Sequence, residues 1–390
     1  MRTRLTRTMA RRVPDRPDVS VVTAGHDVAD ARLHRVVRGL QRAGLEVEVL
    51  GLGRATDAPD GARVRTWQRG GMAGRAVRSL VLPLLARGRV LLAIDPDTTI
   101  AVLVVGRVRR RAVVADVHED YLALLADRAW ARGVVGRGAA LVARAAVVAA
   151  ARADLTVVAD EHVPPGAAGA RERLVVRNLP DRGHVLGAAG GAASEAVSGT
   201  VSGPRRAVYV GDLRRSRGLV TMVEAVALAP GWELDLVGPV GTDDEDWLRR
   251  RTAGADLAGR VRAHGRMPPG AAWGVARGAD VGLVLLEDTP AFREAVPSKL
   301  LEYLAAGLAV LATPLPRVAA LVEASGAGAL VQGPEQAAEQ LRTWDRHPDV
   351  LAGHRAAARS WAAEQVAGPD GYDELAGRVA QLAARPPGRP

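Results

Sequence analysis

The chain reads as an α/β protein built from two doubly wound domains. Three observations predict it. Short β-branched runs alternate with amphipathic stretches, the pattern of parallel strands covered by helices. The alternation occurs twice, on either side of a Gly/Ala/Ser-rich stretch at 186–203. The length of 390 residues, 48% of them hydrophobic, is enough for two or three domains with real cores.

The elements follow in order. A basic arm, 1–17, begins Met1-Arg-Thr-Arg and lacks an apolar signal core, so it is expected to be disordered. The first domain, 18–180, opens with a buried strand from Val19 to Gly25. An amphipathic helix from Ala31 to Ala43 comes next, with Gly44 as its stop. Strands recur at Glu46 to Leu50, Val90 to Asp95, Ala112 to Val117, Leu155 to Ala159 and Leu174 to Arg177. A flexible linker is expected at 181–206.

The second domain, 207–349, is more regular. Its strands are expected at Ala207 to Val210, Leu234 to Val237, Val261 to His264, Val281 to Leu286, Ala309 to Ala312 and Ala329 to Val331. Helices start near Gly218, Asp244, Pro269, Pro297, Arg317 and Pro334. A helical tail, 350–390, is broken around Gly368-Pro-Asp-Gly371. Two such domains place a ligand cleft at the carboxyl ends of their strands.

Composition narrows the partners. The formal net charge of +10 suits nucleic acid, an anionic membrane surface or anionic small ligands. Four Tyr and one Phe, with no base-stacking motif, argue against nucleic acid. Without cysteine there is no disulfide framework, thiolate nucleophile or thiolate metal site. No uncharged apolar run is long enough to cross a membrane, and the cytoplasm is the expected location.

The rarest residues mark the chemistry. The one lysine, Lys299, lies in Glu294-Ala-Val-Pro-Ser-Lys-Leu-Leu-Glu302, and the one phenylalanine, Phe292, stands just before that run. Elsewhere arginine serves, so a lysine kept here points to a need for a compact ammonium. Pro297 suits a first helical turn and Gly307 a helix stop. Ser298 and Lys299 then sit at a helix N-terminus, which favours phosphate. Glu302, one turn on, has two oxygens to accept hydrogen bonds from the adjacent hydroxyls of a ribose. Glu294, in the preceding loop, is free to reach a sugar. The same pattern also fits an ordinary amphipathic helix with solvated charges.

This segment resembles the E-x7-E motif of retaining glycosyltransferases of family 4, which have the GT-B fold. The match continues through Leu304-Ala-Ala-Gly307 and Ala309-Val-Leu-Ala312. The resemblance implies two Rossmann-like domains facing a cleft, with donor binding mainly in the second. The family's Gly-Arg-Leu-(x)3-Lys-Gly pattern corresponds to Gly211-Asp-Leu-Arg-Arg-Ser-Arg217-Gly218. Gly211 ends the strand and Arg217 takes the Lys position. Asp212 stands where Arg is expected, with Arg214 or Arg215 as substitutes. A fixed cationic loop is also reasonable chemistry for a diphosphate leaving group.

Other strand ends carry weaker signals. Gly238, in Val237-Gly-Pro-Val-Gly241, corresponds to a turn lining the nucleotide cleft, and His264 to a loop near the base. In the first half, Asp116-Val-His118-Glu119 resembles the family's Asp-x-His-Glu, so His118 is assigned to a donor hydroxyl and Glu119 to proton transfer. His26-Asp27, Asp95-Pro-Asp97, Arg32 and His34 are further candidates to face the cleft. Asn178-Leu-Pro-Asp181 resembles a structural hinge. The stretch Arg128 to Arg144 mixes arginines with aliphatics, as in basic helices that dock such enzymes on membranes.

The resemblance implies transfer of a sugar from a nucleotide-diphosphate sugar to a hydroxyl acceptor, a lipid-linked one among the candidates. It implies front-face displacement with retained configuration and without metal or other cofactor. An epimerase of the same fold, a non-catalytic partner subunit and a basic nucleic-acid binder are the competing readings.

Overall fold

The computed structural model describes residues 16–126, 131, 133–161, 169–177, 179, 203–267, 269–293, 295–367 and 371–385. Most of the basic arm and the linker, and the hinge residues Asn178 and Pro180, lie outside the described residues. So does Glu294.

The chain divides into two compact units. The first comprises residues 1–121, 138–176 and 371–390, and the second residues 122–137 and 177–370. The helical tail is therefore shared. Its helix Pro348–Ala367 belongs to the second unit and its helix Gly371–Ala384 to the first.

The first unit holds a seven-stranded parallel sheet in the order β3-β2-β1-β4-β5-β6-β7. The strands are β1 (Val19–Asp27), β2 (Val47–Leu52), β3 (Arg63–Trp67), β4 (Val90–Ala93), β5 (Ala112–Val117), β6 (Leu155–Val158) and β7 (Arg173–Val175). β2, β4 and β6 are buried throughout, and β1 is buried from Val19 to Ala24, as near-continuous apolar runs in a covered parallel sheet should be. β3 is the strand that apolar patterning missed. It is an edge strand, Arg63-Val-Arg-Thr-Trp67, whose arginines reach solvent and leave no apolar run to read.

Helix Ala31–Arg42 and helix Gly371–Ala384 pack together over one sheet face, burying Leu33, Val36, Leu40, Leu375 and Val379. Gly39 permits the approach, because a Cβ there would lie 2.8 Å from the Tyr372 carbonyl oxygen. Helices Met72–Leu85 and Pro96–Val108 also pack together. Helix Gly133–Ala150 follows β5 and buries Ala143, Ala146, Ala149 and Ala150. Its length and apolar content would suffice to cross a membrane. It is instead a crossover, since β6 begins five residues later beside β5.

The second unit holds a six-stranded parallel sheet in the order β10-β9-β8-β11-β12-β13. These are β8 (Arg205–Val210), β9 (Trp232–Val237), β10 (Val261–Gly265), β11 (Val281–Val284), β12 (Ala309–Ala312) and β13 (Gly328–Leu330). β8 begins inside the stretch expected to be linker, because Arg205 is recruited to pair with Trp232 of β9. Both sheets reverse strand order beside their first strand, which sets a topological switch point at its carboxyl end.

Candidate active site

In the second unit the switch point lies between β8 and β11. Gly211 ends β8 with φ +147°, and Gly238 ends β9 with φ +141°. A Cβ on Gly238 would lie 2.0 Å from the Gly211 carbonyl oxygen, so the two turns nest only as glycines. Gly211 N–H donates to Val237 O and Gly238 N–H to Gly265 O, both at 2.8 Å. The strand-end loops are thus tied in register. Across the switch point, Glu287 N–H donates to Ser216 O at 3.0 Å. Gly218, at φ +84°, lies under the same loop, where a Cβ would meet Leu285 O at 1.9 Å.

Helix Ser298–Ala305 brings the lysine to this point. Pro297 precedes its first turn in extended conformation. Two tyrosines seat the helix on β8. The Val210 N–H donates to the Tyr303 hydroxyl at 2.8 Å, and the Tyr303 ring covers Gly282, where a Cβ would collide with it. One turn earlier, Lys299 Nζ stands 4.9 Å from the centre of the Tyr209 ring. The Tyr209 hydroxyl donates to the Asp212 carbonyl oxygen at 3.1 Å. Burial and loss of hydration push the Tyr303 phenol well above its ordinary pKa, so it remains a neutral partner.

Lys299 is only 7% exposed. Among the described residues it has no carboxylate partner, and neither has Arg217. Both cations instead lie on aromatic faces. The Arg217 guanidinium carbon is 5.8 Å from the centre of the Phe292 ring. Arg215 differs. Its Nε bonds Asp244 Oδ1 at 3.0 Å while its guanidinium lies over Trp247. Of the two arginines offered as substitutes for the residue missing at Asp212, both are exposed, but Arg215 is already engaged, whereas Arg214 has no ion pair among the described residues.

The other predicted residues of this unit fall nearby. Ser298 opens the helix, and Glu302 is partly exposed one turn on. His264, at the end of β10, bonds the buried Asp235 Oδ1 through Nε2 at 2.7 Å. Gly238 and His264 thus sit on adjacent strand ends.

The first unit gathers a polar cluster at the carboxyl ends of β1, β4 and β5. Asp95 is fully buried and accepts from Thr23 Oγ1 at 2.6 Å, from the Ala24 and Gly25 N–H groups, and from Thr98. Burial raises its pKa, but the charge of His26 and these bonds outweigh that and hold it low. Asp97 pairs with Arg75, yet burial and the Asp95 charge raise it. The His26 and His118 rings lie 5.3 Å apart. His26 Nδ1, His118 Nδ1 and Tyr121 Oη are buried with no hydrogen-bond partner among the described residues. Burial, then the charges of Arg32 and His26, push His118 well below its ordinary pKa, so it is neutral at pH 7.

Three expectations change here. Arg32 does not reach toward a ligand. It is buried in a two-point ion pair with Asp116, at 2.7 and 2.8 Å, and donates to Val176 O. Burial opposes its charge, but Asp116 outweighs burial and raises its pKa. His34 is likewise spent on the Val28 and Asp57 carbonyl oxygens, at 3.0 and 3.1 Å. Glu119 is exposed and stands outside the buried cluster, whereas Tyr121, which the sequence reading passed over, is inside it.

Residues 193–361 match the family of glycosyl transferases group 1, a span that holds Gly211, Arg217, Gly238, His264, Ser298, Lys299 and Glu302. The second unit thus carries a glycosyl transferases group 1 domain. Solved structures place its fold in the GT-B class. One is Anabaena Alr3699/HepE in complex with UDP and glucose, with a TM-score of 0.67 at 15% identity over 94% of this chain and 98% of that one. Another is sucrose-phosphate synthase from Thermosynechococcus elongatus, with a TM-score of 0.65 at 17% identity over 94% and 98%. A third is WaaG, a glycosyltransferase of lipopolysaccharide biosynthesis, with 0.64 at 14% identity over 94% and 99%. No curated protein sequence matches this chain.

Proposed function

We propose that the enzyme moves a sugar from a nucleotide-diphosphate sugar to a hydroxyl acceptor with retained anomeric configuration, as family 4 enzymes do. The carrying observation is the pair of cations at the second switch point, Lys299 and Arg217, each backed by an aromatic face and, among the described residues, without a carboxylate partner. A buried ammonium without a counter-charge is costly, and a bound diphosphate supplies one.

In this reading Lys299, Arg217 and the helix start at Ser298 hold the diphosphate, with Gly211 and Gly238 lining its approach. Glu302 takes the ribose hydroxyls, and His264 lies toward the base. Glu294 is assigned to the sugar hydroxyls. The bond from the anomeric carbon to the diphosphate breaks as the acceptor oxygen bonds to the same face. The leaving phosphate oxygen takes the acceptor proton, and the two cations stabilise the charge growing on it. Neutral His118 orients a sugar hydroxyl. No metal or other cofactor is assigned.

An acceptor carried on lipid is favoured by exposed apolar side chains on three helices of the first unit. Leu80, Leu84, Val104, Val108, Leu141 and Val148 are exposed there, Val108 by 78%. Arg109 donates to Leu84 O and Arg107 to Arg152 O, which draws the ends of the three helices into one basic rim. An apolar face with a cationic rim suits the inner, anionic face of a cell membrane and a peripheral cytoplasmic enzyme.

The test is incubation with UDP-, GDP-, ADP- and dTDP-sugars while free nucleoside diphosphate is measured. Release from one donor class, lost in Glu302→Ala, and an α-anomer from an α-donor by proton NMR are expected. Inverted product, or no release from any donor by folded protein, overturns the proposal.

A further inference from the structure

We infer that Tyr209 and Phe292 are positioning residues that keep Lys299 and Arg217 charged, fixed and unneutralised for the ligand; this rests on the donor-site reading above. Proteins ordinarily hold a buried cation with a carboxylate. A carboxylate here would cancel the charge that an incoming diphosphate needs. An aromatic face holds a cation through its quadrupole and carries no net charge, so it orients the cation without competing for the ligand.

The geometry supports this for both residues. Tyr209 is wholly buried, with its ring under Lys299 Nζ and its hydroxyl fixed on Asp212 O. Gly211 keeps the gap open, since a Cβ there would stand 3.1 Å from Lys299 Nζ and 3.3 Å from Tyr209 Oη. Phe292 lies in the short helix Pro290–Arg293, and its ring is within cation–π reach of Arg217. Arg293, next to it, is paired with Asp288, so a carboxylate-paired arginine stands beside one that has no carboxylate partner among the described residues. The one phenylalanine and one of the four tyrosines lie against these two cations.

The test replaces ring electrons without changing ring shape. Because Phe292 is the one phenylalanine, growth on a fluorinated phenylalanine labels this position alone. Tyr209 is changed to Phe, to 3,4,5-trifluorophenylalanine by codon suppression, and to Leu. Affinity is measured by calorimetry for the nucleoside diphosphate of the preferred class and for its nucleoside.

Tyr209→Phe should keep diphosphate affinity within about threefold, while the trifluorinated ring at 209 should lose roughly tenfold, the range of a desolvated cation–π contact. Trifluorination of Phe292 should lose about threefold, as for a more exposed pair. Nucleoside affinity should stay level, and Tm should fall by no more than a few degrees, as for the loss of one cation–π contact. A flat diphosphate response to fluorination, or equal losses for nucleoside and diphosphate, overturns the inference while leaving the donor site standing. Failure of the native protein to bind UDP, GDP, ADP or dTDP overturns the donor-site reading, and the inference falls with it.

Discussion

Replacing Lys299 by Met should separate binding from stability with opposite signs. Methionine is unbranched and fills a similar volume, so packing against Tyr209 is largely kept. Ligand-free protein loses a cation–π contact of about 0.5–2 kcal/mol. It also loses a 7%-exposed ammonium that has no carboxylate among the described residues, and the desolvation cost so relieved is several kcal/mol by general estimates. The variant should therefore be as stable as the native protein or more so. Diphosphate binding loses a charge-assisted hydrogen bond of about 1.5–3 kcal/mol, or roughly 10- to 150-fold in Kd. At a ligand concentration of about 100 Kd the native protein gains about 2.7 kcal/mol, and a ~100-fold weaker variant gains about 0.4 kcal/mol. Ligand-induced shifts in Tm should shrink from roughly 5–10 °C to about 1–2 °C. Differential scanning calorimetry with and without nucleoside diphosphate reads both quantities. A variant that unfolds well below the native protein yet keeps its ligand shift would make Lys299 a structural residue and refute the reasoning.

Further outcomes follow from the same geometry. Arg32→Met strands the buried Asp116 carboxylate and should cost about 3–5 kcal/mol by urea unfolding; a loss under about 1 kcal/mol would contradict the ion pair's structural role. His118 is kept neutral in the fold, so the unfolded chain takes up this proton first as pH falls below about 6.5, and stability drops there and not above. His118→Gln should lessen the fall in Tm between about pH 7 and pH 5, and a fall as steep as the native one would refute the assignment. Gly238→Ala puts a Cβ against Gly211 O at positive φ and should destabilise by about 1–3 kcal/mol, with nucleotide affinity falling alongside. Val108→Asp combined with Leu141→Asp should abolish sedimentation with phosphatidylglycerol vesicles while leaving the Tm unchanged. Binding that persists, or native binding equal on phosphatidylcholine, would count against the docking face.

Much was legible in the sequence because it was local. Apolar runs bounded by glycine gave most strands, and Pro297 and Gly307 bracketed the lysine helix to within a residue. Their physics is confined to a few neighbouring residues: backbone propensity, a cap, a stop. The edge strand β3 was illegible because one exposed side removes the apolar run. The rare residues Lys299 and Phe292 were visible as rarities, but not what touches them. Only the tertiary structure put the Tyr209 ring under Lys299, from a position 90 residues earlier in the chain. Only it spent Arg32 on Asp116, His34 on two carbonyl oxygens and Arg215 on Asp244. An arginine or histidine looks the same in sequence whether it meets a ligand or a buried carboxylate. What decides is which strand ends the parallel crossovers bring side by side, and that is set by the packing of the whole sheet.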